Sequence, residues 1–146
     1  MSNKPIYKWN DEMGIATCTL VDNINNKTYI GKAVCHPDDR AFMTDKAGLT
    51  IASSRATIKA LQSYKNDELK PGLKALNQLY YSIKHSKHFN ANSYEARALK
   101  RQIKMKEADI KIINDKIKEE REFLKKYIDD KENFYQAVRK IRAKNN

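Results

Sequence analysis

An aromatic ring and two guanidinium groups share one predicted helical face near the C-terminus. Tyr135, Arg139 and Arg142 stand at positions i, i+4 and i+7, a spacing that brings side chains together on a helix. A tyrosine ring stacks on a nucleobase, and an arginine fork binds two phosphate oxygens at once. This spacing therefore indicates that the chain binds a nucleotide-like anion.

A second basic and aromatic group precedes the first by a few turns. Arg121 and Lys125 are four residues apart, and Phe123 and Tyr127 have the same spacing beside them. The Asn133 amide is suited to reading the edge of a base. Composition alone also supports the opposite interpretation, in which the rings lie in a core and the cations in solvent.

Arg55 is a further candidate, because it lies in an apolar setting. The surrounding stretch, 51–56, consists of small and apolar residues. A long cation in such a stretch needs a polar partner or a bound anion. We therefore include Arg55 among the candidate ligand-binding residues.

Residues suited to catalysis are sparse. Cys35 and His36 precede Asp38 and Asp39, a set that contains a nucleophile, a base and acids. The favoured interpretation is simpler: Cys35 ends a strand as a small buried residue, and the acids cap a loop. The sequence therefore predicts no catalytic residue and a protein that is not an enzyme.

Metal ligands and cofactor motifs are equally weak. His85 and His88 are three residues apart on a predicted helix, but two ligands do not make a metal site. The single Gly48 before a helix is not a phosphate-binding loop. We expect neither a metal nor a cofactor.

The N-terminal part has the composition of a β-hairpin. Residues 14–21 and 27–35 are rich in β-branched side chains, and the Asn-rich segment 22–26 between them is typical of a turn. Residues 6–9 are a candidate third strand. Two or three strands are not stable alone, so they must pack on a helix or on another copy of the chain.

Helical periodicity follows a loop at 36–47. We predict a helix over 49–64, an interruption at 65–67, and a second helix that starts near Pro71 and stops around 88–92. A third helix is predicted from Ser93 to about Lys144, where no Gly or Pro occurs. Asn92 and Glu95 have the spacing of a capping box. The apolar rhythm lapses at 129–133, where a kink or break is allowed.

These elements predict an α+β fold with two domains. A small antiparallel β element with one short helix, residues 1–65, precedes two long antiparallel helices, residues 66–146. A helix of roughly 50 residues is about 75 Å long at 1.5 Å per residue. A chain of 146 residues is too small to cover it, so we expect a homodimer or higher homo-oligomer.

Composition limits the class of protein further. The net charge of +11 favours an anionic partner. No apolar run approaches the ~18 residues that span a bilayer, so no membrane partner is expected. The N-terminal residues lack the apolar stretch of a signal peptide, which predicts a cytoplasmic protein whose Cys18 and Cys35 remain thiols.

The order of several short motifs resembles one phage family. The motifs are Gly31–Asp39, Gly48, Ile51–Ala52, Arg55–Ala56 and Asn133–Arg139. In this order they resemble the phage Thoeris anti-defence proteins of the first-described family, which are sponges for cyclic ADP-ribose isomers. The resemblance covers nearly the whole chain.

The resemblance implies a non-catalytic protein that captures the cyclic ADP-ribose isomer made by bacterial TIR enzymes, so that the defence effector receives no signal. It implies ligand pockets between protomers, and in some members separate sites for cyclic oligonucleotides. A segment from Gly31 to Arg55 of a neighbouring protomer would complete a pocket. The residues carried over as ligand-binding are Phe123, Asn133, Tyr135, Arg139 and Arg142, with Arg121 and Tyr127 as weaker members.

Two other functions compete with a sponge. A small basic phage protein that binds nucleic acid would carry a continuous basic stripe, and here acids interrupt the stripe, since they are mixed with the cations on most helical faces. Nucleic acid is therefore a disfavoured partner. A coiled-coil adaptor would carry a strict apolar seam, which Phe123, Tyr135 and the arginines disturb.

Overall fold

The computed structural model describes residues 4–39 and 44–145. Three strands come first and three helices follow, which confirms the predicted α+β fold with its N-terminal antiparallel sheet and long C-terminal helix. The elements are β1 (Ile6–Asn10), β2 (Ile15–Asp22), β3 (Lys27–Val34), a 3-10 turn (Pro37–Asp39), α1 (Asp45–Tyr64), a π-helical turn (Lys65–Leu69), α2 (Lys70–Lys84) and α3 (Tyr94–Lys144).

The sheet is a meander in the order β1-β2-β3, with every pair antiparallel. The predicted hairpin is confirmed, and residues 6–9 do form the third strand. In the turn, the Asp22 carboxylate accepts hydrogen bonds from the backbone N–H groups of Ile24 (3.0 Å) and Asn25 (3.3 Å) and from the Asn25 amide (2.9 Å). Asn26 then takes a positive φ of 52°, which asparagine tolerates better than most residues.

This turn should lose its order in acid. The Asn25 side-chain hydrogen bond, with those from the backbone, lowers the pKa of Asp22. Because the folded-state pKa is lowered, the stabilisation is present above the ordinary Asp pKa of about 4 and is lost as the pH falls through the lower folded value. The protection factors of the Ile24 and Asn25 amides, which correct the exchange rates for the intrinsic effect of pH and are followed by NMR, should fall over that range. Asp22→Asn should remove this pH dependence, and an unchanged exchange profile in the wild type would contradict it.

Small side chains bring the sheet and α1 into close contact. Ala16, Cys18 and Ala33 point from the sheet to Ala52 and Ala56 on α1, and all five are buried. At Gly31 the approach is closest, because a Cβ there would overlap the Ala52 carbonyl oxygen and lie 2.6 Å from the Ala56 nitrogen. Only glycine fits at this point of β3.

Cations of α1 cover carbonyl groups of the edge strand β3. The Arg55 Nη1 donates to the Lys32 carbonyl at 2.6 Å, and the Lys59 Nζ donates to the Ile30 carbonyl at 2.7 Å. Unpaired groups at a sheet edge invite pairing with other chains, and charged side chains oppose this. The sequence predicted that Arg55 needs a polar partner or a bound anion. The Lys32 carbonyl of β3 is such a partner.

The chain forms two compact units, Met1–Ala60 with Lys118–Asn146, and Leu61–Ile117. The second unit has its own core, in which Leu69, Ile113 and Ile117 are buried against Leu61 and Ile110. The sequence-based division at 65/66 assigned residues 118–146 to the helical half. In the structure they belong to the unit that contains the sheet.

Several helix ends differ from those predicted. α1 begins at Asp45, where the Thr44 hydroxyl accepts the Ala47 N–H at 3.2 Å. The interruption at 65–67 is a π-helical turn, and Pro71 lies in the first turn of α2. The Ser93 hydroxyl accepts a hydrogen bond from the Ala96 N–H at 3.2 Å and caps α3, whereas the capping-box spacing predicted Asn92 for this role.

One further boundary prediction was wrong, because α2 ends at Lys84, before the predicted stop at 88–92. The sequence left a kink or break open at 129–133, and α3 continues through that segment without interruption. Among the described residues, no helix combines the length and apolar character needed to cross a membrane.

Candidate functional site

The first unit contains a cavity of about 230 Å³. It is bounded by the ends of β1 and β3, the first half of α1 and one face of α3. Its aromatic and charged walls are formed by Trp9, His36, Asp39, Arg55, Lys131, Glu132 and Tyr135. Rings, cations and carboxylates therefore meet in one concave site.

Gly48 makes room for the tryptophan that forms one side of this cavity. A Cβ at Gly48 would lie 3.0 Å from the Trp9 ring and 2.9 Å from the Ala16 methyl group. The Trp9 indole N–H also donates to the Asp11 carboxylate. The benzene part of the Trp9 indole therefore packs at Gly48, and its N–H is held by the Asp11 carboxylate.

An ion pair joins the 3-10 turn to α3 beside the cavity. Arg139 Nε donates to Asp39 Oδ1 at 2.8 Å, Nη2 donates to Oδ2, and Nη1 lies 3.5 Å from Glu132 Oε1. The Asp39 side chain is only 4% exposed, against 37% for Arg139. Because both Asp39 oxygens bind the guanidinium, much of the Arg139 fork serves to hold the turn in place.

Tyr135 presents a protonated hydroxyl to the site. Burial, and then the nearby Cys35 and Asp39, raise the pKa of the Tyr135 phenol. At neutral pH the group is therefore a hydrogen-bond donor and its ring carries no charge. A neutral, half-buried ring of this kind suits stacking on a base.

The structure brings three of the predicted site residues together. Tyr135 and Arg55 line the cavity, and Arg139 holds its Asp39 wall. Residues from 33–39 and 44–55 meet α3 of the same chain here. The resemblance implied that the 31–55 segment of a neighbouring protomer would complete a pocket, and this remains a prediction.

The other predicted residues lie away from this cavity. Phe123 lines a separate groove with Tyr7 and Leu49. The Phe123 ring centroid is 5.8 Å from that of Tyr127, over which the Lys131 ammonium lies at 5.6 Å. The side chains of Arg121, Asn133 and Arg142 are exposed and do not line the cavity.

Sequence reasoning missed Trp9, Lys131 and Glu132 as cavity residues. The last two lie in the 129–133 segment, where their charge suggested an end to the apolar rhythm. Their spacing of four and three residues from Tyr135 was the available signal, since it puts them on the same helical face. Among residues 4–39 and 44–145, no cluster of three or more His, Cys, Asp or Glu side chains could hold a metal ion.

The two cysteines should differ strongly in reactivity. Burial raises the pKa of the Cys18 thiol, which has no exposed surface, whereas Cys35 is half-buried and lines the cavity. Iodoacetamide at neutral pH should modify Cys35 and leave Cys18 intact until denaturant is added. Peptide mass spectrometry measures both rates, with Cys35→Ala as the control. Equal rates in the folded protein would contradict the assigned burial.

Comparisons with known proteins give no relative. No protein-family model, curated protein or solved structure matches the chain.

Proposed function

We propose that this protein is a non-catalytic sponge in the host bacterial cytoplasm, which binds a cyclic nucleotide immune signal and so blocks anti-phage defence. The ligand class is a cyclic ADP-ribose isomer, with cyclic oligonucleotides as a second class. The observation that carries the proposal is the cavity in which the Trp9 and Tyr135 rings stand beside the Arg55 and Lys131 cations.

These side chains match the parts of such a ligand. An aromatic ring stacks on adenine, and cations attract the two phosphates. The Glu132 carboxylate can accept hydrogen bonds from ribose hydroxyls or from a base N–H. Sequestration needs only this binding, and no reacting group has to be activated.

The size of the cavity supports a particular orientation of the ligand. Its volume of about 230 Å³ is below the ~300–1,000 Å³ of pockets that enclose a complete small molecule. A base with its ribose would fill it, and the phosphates would lie outside near Arg55 and Lys131. A second protomer would then cover the remainder of the ligand.

Exposed apolar side chains support self-association. On α3 of the first unit, Phe123, Phe134 and Ile141 are 49%, 54% and 60% exposed. They are separated by eleven and seven residues, so all three lie on one helical face. Such a face favours pairing with another helix, and a second copy of the chain is the partner we propose.

A ligand panel tests the proposal. The purified protein is incubated with cyclic ADP-ribose isomers, linear ADP-ribose, cyclic oligonucleotides and short DNA, and its melting temperature is recorded. A ligand at 100 times its Kd adds about 2.7 kcal/mol of stability, so the captured isomer should raise the melting temperature clearly. Stabilisation by DNA alone, or by nothing in the panel, would contradict the sponge; chemical conversion of the ligand would contradict a non-catalytic protein.

A further inference from the structure

A stretch of uniformly positive charge lies outside the cavity, in the second unit. No Asp or Glu occurs between Glu68 and Glu95, and the stretch contains Lys70, Lys74, Lys84 and Lys87. The α3 helix differs, because acids alternate there with the lysines. The electrostatic argument against nucleic acid, which rests on that alternation, therefore does not apply to α2.

The helical geometry gathers this charge on one exposed face. At about 100° per residue, Lys70, Lys74, Tyr81, Lys84 and His85 fall within an arc of about 100°. All five side chains are exposed. Such a face presents three lysine charges to solvent, and α2 contains no carboxylate to offset them.

A ring and two amides stand among these cations. Tyr81 is 65% exposed, and its ring centroid lies 4.1 Å from that of His85. Lys70, Lys74, Asn77, Gln78 and Tyr81 line a shallow groove along α2. Cations for phosphates, a ring for stacking and amides for base edges are the groups that bind single-stranded nucleic acid.

We propose that this face of α2 binds single-stranded nucleic acid, with its lysines on the phosphates and Tyr81 stacked on a base. The apolar residues of α2 favour this partner over a membrane. Leu73, Leu76, Tyr80 and Ile83, on the adjacent face of the helix, are already half-buried, so they do not form an apolar surface able to enter a bilayer. This surface is independent of the cavity and of its ligand.

Fluorescence anisotropy with a labelled 12-nucleotide single strand, over 50–200 mM salt, tests the proposal. Contact with the three lysines of this face, Lys70, Lys74 and Lys84, predicts a slope of log K against log salt of about −2, at about 0.7 per neutralised phosphate on a single strand. Tyr81→Ala should weaken binding several-fold and leave that slope unchanged. Undetectable binding at 50 mM salt would overturn the proposal.

A matched pair of charge reversals separates this face from the overall charge. Lys74→Glu with Lys84→Glu should reduce affinity at least tenfold, whereas Lys104→Glu with Lys111→Glu on exposed positions of α3 should reduce it less than threefold. Circular dichroism confirms that each variant is folded. Equal losses in the two double variants would overturn the assignment to α2, as would equally tight binding of polyglutamate that is unaffected by Tyr81→Ala.

Discussion

Replacing Gly31 by alanine should destabilise the sheet-containing unit by more than about 3 kcal/mol, the largest effect expected of any single methyl group in this chain. The added Cβ would overlap the Ala52 carbonyl and crowd the Ala56 nitrogen. Both groups belong to the backbone of α1, so the overlap cannot be relieved by the movement of a flexible side chain. Either α1 separates from the sheet or the strand shifts, and both open the core around Ala16 and Cys18.

Gly72→Ala is the matched control for this change. A Cβ at Gly72 would meet only the end of the Lys106 side chain, at 3.5 Å. The position lies inside α2, where alanine is more favourable than glycine by about 0.5–1 kcal/mol. Urea denaturation should show a large loss for Gly31→Ala and a small gain for Gly72→Ala. A Gly31→Ala protein as stable as the wild type would refute the close sheet–helix contact.

Arg139→Ala should produce the second largest effect, because it leaves the buried Asp39 carboxylate without its guanidinium. Breaking a buried pair by removing one partner costs about 3–5 kcal/mol. The exposed part of Arg139 places the expected loss at the lower end of that range. The 3-10 turn should detach from α3, and ligand binding should fall with it because Asp39 lines the cavity.

A double-mutant cycle isolates this pair. Asp39→Ala combined with Arg139→Ala should be less damaging than the sum of the single changes, with a coupling of at least about 1 kcal/mol. Lys140→Ala, at an exposed position on the same helix, should change stability by less than about 0.5 kcal/mol. Strict additivity of Asp39→Ala and Arg139→Ala in thermal unfolding would show that the pair does not anchor the turn.

The elements were predictable because each follows a local pattern. β-branched residues on both sides of an Asn-rich turn define β2 and β3, and the spacing of Leu73, Leu76 and Tyr80 defines α2. At 129–133 the sequence left a kink or break open, because charged residues interrupt the apolar rhythm there. Asp, Lys and Glu without Gly or Pro can continue a helix. Here the continuous helix places the Lys131 and Glu132 side chains on the wall of the cavity.

The site itself depends on contacts that no local pattern contains. Asp39 and Arg139 are 100 residues apart in the chain. From its residue type alone, Arg139 was predicted to bind phosphate, whereas in the folded chain its guanidinium binds Asp39 of the 3-10 turn. The spacing around Tyr135 did locate one wall of the cavity, but Trp9 reaches it only because Gly48 has no side chain to exclude the ring.

The most direct test uses Cys35 as a reporter inside the cavity. The rate of Cys35 alkylation is measured with and without a cyclic ADP-ribose isomer. The bound ligand is then released by heating, and its mass is determined by mass spectrometry. We expect at least tenfold protection of Cys35, recovery of the isomer unchanged, and loss of protection in Tyr135→Ala. An isomer that leaves the Cys35 rate unaltered, or returns with a changed mass, would contradict capture without turnover in this cavity.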